Sequence, residues 1–222
     1  MLLIILLTGF SPISSATYSS TTGDQAQAPT VIVLGDSLSA GYGISVNQGW
    51  VAKLQSNLRT SYPAFRVINA SISGETSAGA LVRLPKLLDK YQPAITIIEL
   101  GGNDGLRGYP IQKLKKNLAQ IIQTSGRYGD VLLLGMQIPP NYGSKYTQMF
   151  SDSFAQLAEQ FELPLVPFFL ENIATQPSLM QDDGIHPRAE AQQTMLNNVL
   201  PYLTPLLDKV NNAQQDHQIN GK

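Results

Sequence analysis

The chain has 222 residues, of which 43% are hydrophobic and 14% charged, a composition that predicts one compact domain and excludes a disordered or fibrous chain. Fifteen Lys and Arg residues against sixteen Asp and Glu residues give a formal net charge of −1. The sequence contains no basic cluster that could follow a phosphate backbone, so nucleic acid is not an expected partner.

The start of the chain is typical of a secretory signal peptide, expected over residues 1–16. An apolar run at residues 2–7 is followed by the small residues Ser14, Ser15 and Ala16, which suit a signal peptidase. The run is too short for a membrane span of about 20 residues. No Lys or Arg precedes the run, which departs from the usual pattern, and no cysteine is present to carry a lipid. We therefore expect a periplasmic or secreted protein without a stable membrane anchor.

Two polar segments flank the predicted folded domain. Residues 17–29 are rich in Ser, Thr, Gln and Ala without apolar periodicity, which predicts a disordered lead-in. Residues 211–222 are similarly polar and predict a flexible tail. The domain itself is expected over residues 30–210, because no linker or internal repeat divides that stretch.

Five short apolar segments predict β-strands, at residues 31–34, 66–70, 94–100, 131–136 and 165–169. Apolar residues at helical spacing lie between them, as at Trp50, Leu54 and Leu58. Pro85 lies inside one helical pattern and predicts a kink or an early break. Strands that alternate with helices form a parallel sheet covered by helices on both faces, so we expect a three-layer α/β/α domain.

Three polar loops follow strands of this sheet, after Gly35, Ala70 and Leu100. The carboxyl ends of parallel strands share one edge, and open α/β sheets bind their ligands outside that edge. Ser37, in the first of these loops, therefore stands where a small molecule would bind. Taken alone, the motif favours a simpler interpretation in which Ser37 or Ser39 caps the following helix, so a catalytic role for Ser37 depends on partners elsewhere in the chain.

The sequence has two histidines, and His217 belongs to the expected tail, which leaves His186 as the candidate base. Asp183 precedes His186 by three residues, close enough to accept from the imidazole Nδ1 and leave Nε2 free to take a proton. A serine hydroxyl needs such a base at neutral pH. Alternatively, Asp183 caps the last helix and His186 lies in its first turn. One usable histidine and no cysteine argue against a transition-metal site.

Acyl transfer also requires hydrogen-bond donors aimed at the developing oxyanion. The candidates are the backbone N–H groups of Ser37 and Gly74 and the side-chain amide of Asn103. Gly74 and Asn103 are ordinary turn residues when each is taken singly. Because all three follow strands of one sheet edge, together they favour an oxyanion hole.

Four blocks of the sequence, taken in order, resemble those of the SGNH (GDSL) hydrolase superfamily. The blocks are Gly35-Asp36-Ser37-Leu38, Gly74, Gly102-Asn103-Asp104 and Asp183-Gly184-Ile185-His186. The resemblance extends over residues 31–203 and is closest to the bacterial thioesterase, lysophospholipase and arylesterase members.

This resemblance implies a flavodoxin-like five-stranded parallel sheet in the order 2-1-3-4-5, a monomeric enzyme and no cofactor. It also implies broad hydrolysis of carboxylic esters and thioesters, namely aryl esters, acyl-CoA and lysophospholipids. The reaction would pass through an acyl-enzyme on Ser37, with His186 as base and Asp183 orienting it. Ser37, Gly74 and Asn103 would form the oxyanion hole.

The same residues bear on three alternative interpretations. An acetylesterase acting on carbohydrates uses the same chemistry, and the loops expected to form the pocket walls, at residues 75–80, 106–111 and 139–146, do not rank the substrates. A flavodoxin-like protein that binds phosphate or a nucleotide is not supported, because neither a Walker A sequence nor Gly-x-Gly-x-x-Gly occurs. The Gly-x-Ser-x-Gly elbow of other serine esterases is also missing, because Ser39 stands where that motif needs glycine.

Overall fold

The computed structural model of the protein describes residues 28–220. The expected signal peptide at residues 1–16 lies outside the described residues, as do residues 17–27 of the expected lead-in and the last two residues.

A five-stranded parallel sheet in the order β2-β1-β3-β4-β5 forms the centre of the fold. Its strands are β1 (Thr30–Gly35), β2 (Arg66–Asn69), β3 (Ile95–Glu99), β4 (Asp130–Leu134) and β5 (Leu165–Val166). Every residue of β1 and β3 is buried, as expected for central strands covered on both faces. The parallel sheet and its strand order confirm the sequence prediction. Only β5 is much shorter than expected, because the Gly135 carbonyl accepts from the Phe169 backbone N–H at 2.8 Å and the regular register with β4 ends after Val166.

Helices cover the sheet and complete the α/β/α architecture. They are α1 (Ser37–Ala40), α2 (Trp50–Ser61), α3 (Ser77–Tyr91), α4 (Gly102–Leu106), α5 (Ile111–Ser125), α6 (Ser144–Gln160) and α7 (Gln192–Asn220). Short 3₁₀ turns occur at Val46–Gln48, Pro140–Tyr142, Pro177–Leu179 and Ala189–Ala191. Helices α2 and α7 pack against each other, whereas α5 packs against both α3 and α6. In α5, the apolar residues recur every three or four positions and are buried, which is why this segment is helical.

Two helices continue further along the chain than the sequence patterns indicated. Pro85 does not break α3 early, since the helix continues from Ser77 to Tyr91, and the alternative that Pro85 kinks the helix stays a prediction. Helix α7 continues through residues 211–220, where the sequence predicted a flexible tail, although it contains Pro201 and Pro205. Each proline removes one backbone hydrogen bond, but tertiary packing provides most of the stability of a helix in a protein. The apolar face of α7 is fully buried, at Val199, Leu203 and Leu207.

The polar loops after β1, β2 and β3 meet at the carboxyl edge of the sheet. The Ile72 backbone N–H donates to the Gly35 carbonyl at 3.0 Å, and Asn69 Nδ2 donates to the Ser39 carbonyl at 2.8 Å. Asn103 Nδ2 lies 3.1 Å from Asp36 Oδ2. Within residues 28–220, no helix is both long enough and apolar enough to cross a membrane.

Candidate active site

The turn between β1 and α1 presents Ser37 at the carboxyl end of a central strand. Asp36 caps α1, because its Oδ1 accepts a hydrogen bond from the Leu38 backbone N–H at 3.0 Å. Gly35 lies so close to β3 that a Cβ there would come within 2.7 Å of Glu99 Oε2. Only glycine fits this position, and the tight approach holds the half-buried Ser37 at the edge of the sheet.

A chain of hydrogen bonds connects Ser37, His186 and Asp183. The His186 Nε2 atom lies 2.9 Å from Ser37 Oγ, and the Nδ1 atom lies 2.7 Å from Asp183 Oδ2. Asp183 Oδ1 also accepts from the backbone N–H groups of Ile185 and His186, at 2.9 and 3.0 Å. With Nδ1 donating to the carboxylate, Nε2 is left to accept the serine proton, which is the arrangement that a general base requires.

The hydrogen bonds at Asp183 keep its carboxylate ionised. Partial burial raises the pKa of Asp183, but the backbone and side-chain hydrogen bonds from His186 and the backbone hydrogen bond from Ile185 outweigh it and lower that pKa to about 2. The carboxylate therefore stays negative at neutral pH.

Asp182 has a different partner, although it stands beside Asp183 in the sequence. Its Oδ1 accepts from Arg188 Nη2 at 2.6 Å, and Arg188 Nε donates to the Met180 carbonyl. The Gln181 backbone N–H donates to the His186 carbonyl at 2.7 Å. These contacts close the segment 181–188 on itself and direct only one of the two adjacent carboxylates at the histidine.

The three candidate oxyanion donors are brought together at the sheet edge. Within residues 28–220, the backbone N–H groups of Ser37 and Gly74 make no hydrogen bond. Gly74 has a φ of +79°, a conformation that favours glycine. Asn103 Nδ2 donates one hydrogen to Asp36 Oδ2, which leaves its second hydrogen for a ligand. Arg107 Nη2 lies 3.3 Å from the Gly74 carbonyl and 3.5 Å from Asn103 Oδ1, so one side chain links the two loops.

A buried polar network lies beneath the Ser37 turn. The Ser39 hydroxyl donates to Glu99 Oε2 at 2.6 Å and accepts from Trp50 Nε1 at 3.1 Å, and the Asp36 backbone N–H also donates to Glu99 Oε2. Burial is the main cause that raises the pKa of Asp36 to about 6. Burial, followed by the charge of Asp36, raises the pKa of Glu99 well above its ordinary value. The two buried carboxyl groups therefore both hold their protons to a higher pH than exposed carboxyl groups do.

Sequence reasoning missed Glu99 and Arg107. Glu99 carried a usable signal, because it is the one charged residue in the apolar segment 94–100, and a charge inside a central strand must have buried partners. Arg107 carried none, because its significance depends on the loop at Gly74, which is remote in sequence.

Aromatic and apolar side chains surround the catalytic groups. The ring of Tyr42 packs on that of His186, with a centroid separation of 4.5 Å. Tyr142 Oη donates to the Leu106 carbonyl at 2.9 Å and so joins two of the loops predicted as pocket walls. Four apolar or aromatic side chains here are more than a third exposed, namely Tyr42, Ile72, Tyr142 and Ile185.

The described residues hold a cavity near Asp183 but no cluster of metal ligands. Among the described residues, no group of three or more His, Asp or Glu side chains could hold a metal ion. A cavity of about 770 Å³ adjoins the far side of Asp183, lined by residues that include Tyr42, Gln48 and Arg188. Ser37 does not line this cavity, so it is not where the nucleophile would meet a substrate.

Comparisons with known proteins agree with this geometry. Residues 33–194 match the GDSL-like Lipase/Acylhydrolase family. The chain is 52% identical over 184 residues to Esterase TesA of Pseudomonas aeruginosa, covering 82% of this chain and 92% of the relative. It is 44% identical over 184 residues to Thioesterase 1/protease 1/lysophospholipase L1 of Escherichia coli K12, covering 82% and 87%.

Solved structures give the same result. A crystal structure of TesA superposes with a TM-score of 0.78 at 51% identity, covering 80% of this chain and 99% of that chain. The psychrotrophic esterase EstA from Pseudoalteromonas, inhibited by monoethylphosphonate, superposes with a TM-score of 0.77 at 42% identity, covering 81% and 98%. The chain therefore belongs to the GDSL-like Lipase/Acylhydrolase family and is a hydrolase of that family.

Proposed function

We propose that Ser37, His186 and Asp183 are the catalytic triad through which this enzyme hydrolyses carboxylic esters and thioesters. The observation that carries the proposal is the unbroken pair of contacts, 2.9 Å from Ser37 Oγ to His186 Nε2 and 2.7 Å from His186 Nδ1 to Asp183 Oδ2. No other histidine side chain within the described residues competes for the role of base.

Acylation starts when Ser37 Oγ attacks the carbonyl carbon of the substrate and His186 Nε2 takes the hydroxyl proton. Asp183 stabilises the imidazolium that forms. The carbonyl oxygen becomes an oxyanion, which accepts hydrogen bonds from the backbone N–H groups of Ser37 and Gly74 and from Asn103 Nδ2. The tetrahedral intermediate collapses as the C–O or C–S bond breaks, and His186 returns its proton to the leaving alcohol or thiol.

Deacylation repeats these steps with water as the nucleophile. His186 takes a proton from the water as its oxygen attacks the acyl carbon on Ser37, and the same three donors stabilise the second oxyanion. Collapse of this intermediate releases the carboxylic acid, and the proton returns to Ser37 Oγ. The cycle consumes only ester and water and needs no cofactor.

Aryl esters, acyl-CoA and lysophospholipids are the proposed substrate classes. The relatives named as an esterase, as Thioesterase 1/protease 1/lysophospholipase L1 and, in Vibrio mimicus, as an Arylesterase support this range. The exposed apolar side chains of Ile72 and Ile185 beside the catalytic groups suit an acyl chain more than a sugar ring.

Export and a monomeric state are part of the proposal. The apolar run at residues 2–7 and the small residues that follow support a periplasmic or secreted location, with residues 30–210 as the folded hydrolase domain. Cell fractionation of the full chain, beside a variant lacking residues 1–16, tests export. Light scattering on the purified protein tests the monomer.

Labelling with a fluorophosphonate ester tests the nucleophile, because only an activated serine is phosphonylated. We expect the label on Ser37 and none on Ser37→Ala. Ser39→Ala is the matched control and should still be labelled, because the Ser39 hydroxyl is buried against Glu99. A label that persists on Ser37→Ala would overturn the proposal. A kinetic panel of p-nitrophenyl esters of increasing acyl length, palmitoyl-CoA, a lysophospholipid and an acetylated sugar would then rank the substrates.

A further inference from the structure

We propose that Arg107 is a positioning residue that holds Gly74 and Asn103 in the geometry of the oxyanion hole and acts on the reaction rate through them. The proposal rests on the proposed serine hydrolase function. Arg107 does not contact Ser37, His186 or Asp183 in any hydrogen bond or ion pair found within residues 28–220.

The position of Arg107 follows from helix α4. Arg107 ends this helix and lies four residues after Asn103, so the two side chains project from neighbouring points on the same helical face. The Arg107 backbone N–H donates to the Asn103 carbonyl at 3.2 Å. From this point Nη2 reaches both Asn103 Oδ1, at 3.5 Å, and the Gly74 carbonyl on the loop after β2, at 3.3 Å.

The polar contacts of the Arg107 guanidinium are directed at these two oxygens. None of the ion pairs found within the described part of the chain includes Arg107. An exposed arginine that only served solubility would have no reason to meet two carbonyl oxygens on separate loops. The planar guanidinium carries several donors in a fixed geometry, which suits it to bridging two acceptors.

Arg107 and Asp36 together determine which way the Asn103 amide faces. Asp36 Oδ2 accepts from Nδ2 at 3.1 Å, while Arg107 approaches the opposite end of the amide at Oδ1. A flipped amide would direct its oxygen at the Asp36 carboxylate and its NH₂ group at the guanidinium, and both contacts would be repulsive. The observed orientation keeps one Nδ2 hydrogen available for the oxyanion.

Gly74 gains its position from the same side chain. Gly74 has a φ of +79°, and because glycine lacks a Cβ its backbone is free to adopt other conformations. The hydrogen bond from Arg107 Nη2 to the Gly74 carbonyl limits that freedom. The two contacts are long and Arg107 is exposed, so we expect little effect on stability. The effect should appear when charge develops on the substrate oxygen and both donors must converge on it.

The test compares three variants by steady-state kinetics with p-nitrophenyl butyrate and by thermal melts. Complete loss of an oxyanion donor lowers kcat by about 10²–10³-fold. Arg107→Ala keeps the donors and removes only the contact that positions them, so it should lower kcat by about 10-fold. KM should change less than about 2-fold. Arg107→Lys keeps the charge but not the bridging geometry, and should recover only part of kcat. The matched control is Arg127→Ala, which removes an exposed arginine from the loop before β4 and should leave kcat unchanged.

A double-mutant cycle with Asn103→Ala isolates the mechanism. If Arg107 acts through Asn103, Arg107→Ala should cost much less in the Asn103→Ala background than in the wild type. Phosphonylation by the fluorophosphonate, whose oxygen occupies the oxyanion hole, should slow in parallel with kcat. Full additivity, or a raised KM with unchanged kcat, would overturn the proposal and make Arg107 a substrate-binding residue.

The outcomes also separate this inference from the proposed function. If Ser37→Ala abolishes hydrolysis while Arg107→Ala behaves as Arg127→Ala does, only the role of Arg107 fails. If Ser37→Ala keeps its activity, the triad itself fails. A fall in melting temperature that accounts for the loss of activity of Arg107→Ala would also reject a positioning role.

Discussion

Asp183 and Asp36 each hold a proposed catalytic group in place by hydrogen bonds, yet the side chain of Asp183 is 38% exposed whereas Asp36 is 2% exposed. All of the hydrogen bonds to Asp183 come from residues two and three positions along the chain. Asp36 has one such local partner, Leu38, but it also bonds Asn103 and Glu99, which are remote in sequence. The pKa moves in opposite directions at the two sites, to about 2 at Asp183 and to about 6 at Asp36.

The difference shows what each site requires. The base needs a partner that stays ionised beside an imidazolium, and three hydrogen bonds achieve that without burial. The oxyanion side needs a rigid Asn103 amide, and the buried Asp36 carboxyl group beside Glu99 holds it with little competition from water. We refer to the region around Asp183 as the histidine segment (residues 181–188) and to Asp36 and Glu99 as the buried carboxyl pair.

The largest effect is expected when Ser37, the residue that both regions serve, is replaced. Ser37→Ala should lower kcat by a factor on the order of 10⁶, because no acyl-enzyme can form. His186→Ala should do comparable damage. The fold should survive both changes, which circular dichroism and thermal melts would verify. Removal of residues 211–222, which include His217, is the control and should leave kcat nearly unchanged. A Ser37→Ala variant with a tenth of the wild-type kcat would refute the triad.

The next largest effect is expected from a substitution that disrupts only the histidine segment. Asp183→Asn should lower kcat by up to about 10⁴-fold, because the amide can stabilise the wrong imidazole tautomer. Asp182→Asn is the matched control one residue away, and it should be mild because Asp182 pairs with Arg188. Steady-state kinetics on both variants would decide, and equal losses would mean that Asp183 is not the sole partner of His186.

A smaller effect is expected from substitution of Asn103 on the oxyanion side. Asn103→Ala should lower kcat by about 10²–10³-fold with little change in KM, because the amide binds most strongly once charge has developed. Asn103→Asp should be at least as damaging. It would direct a carboxylate at the oxyanion and also bring it about 3 Å from Asp36, where like charges repel. A folded Asn103→Asp variant with near-normal kcat would contradict the oxyanion role.

The contrast between the two regions also explains what the sequence could predict. Asp183 and His186 lie three residues apart, so their pairing follows from the spacing alone. The strands of the sheet could also be predicted, because apolar runs such as residues 31–34 are bounded by polar turns. The buried carboxyl pair joins residues 63 positions apart, and its geometry depends on β1 and β3 being neighbours.

Errors in the predicted fold have the same origin. Residues 211–220 are polar and had no local signal for a helix, yet they continue α7, whose earlier turns are buried against the fold. Local composition describes what a segment prefers by itself, whereas packing of the preceding turns determines whether the helix persists. The role of Arg107 could not be predicted for a related reason, because its two acceptors, the Gly74 carbonyl and Asn103 Oδ1, come within its reach only in the folded protein.

The smallest expected effect is on stability, and it has opposite signs in the two regions. The folded pKa values of the buried carboxyl pair are raised, so the pair contributes stability that is fully present below its unfolded pKa values of 3.8 and 4.5 and is lost as the pH rises through about 6 and beyond. The folded pKa of Asp183 is lowered, so its contribution is present above 3.8 and is lost as the pH falls through about 2.

Glu99→Gln tests the buried side of this contrast, because glutamine keeps an acceptor oxygen for the Ser39 hydroxyl and the Asp36 backbone N–H but cannot ionise. Its melting temperature should rise relative to the wild type as the pH increases from 4 to 8, and each 1 kcal/mol gained corresponds to about 2–4 °C in a domain of this size. Glu159→Gln, on the exposed surface of α6, should follow the wild type throughout. Asp183→Asn should instead approach the wild type in acid, because protonation removes the same charge. If the difference in melting temperature between Glu99→Gln and the wild type were constant from pH 4 to 8, Glu99 would have the same pKa folded and unfolded, and burial beside Asp36 would not raise it.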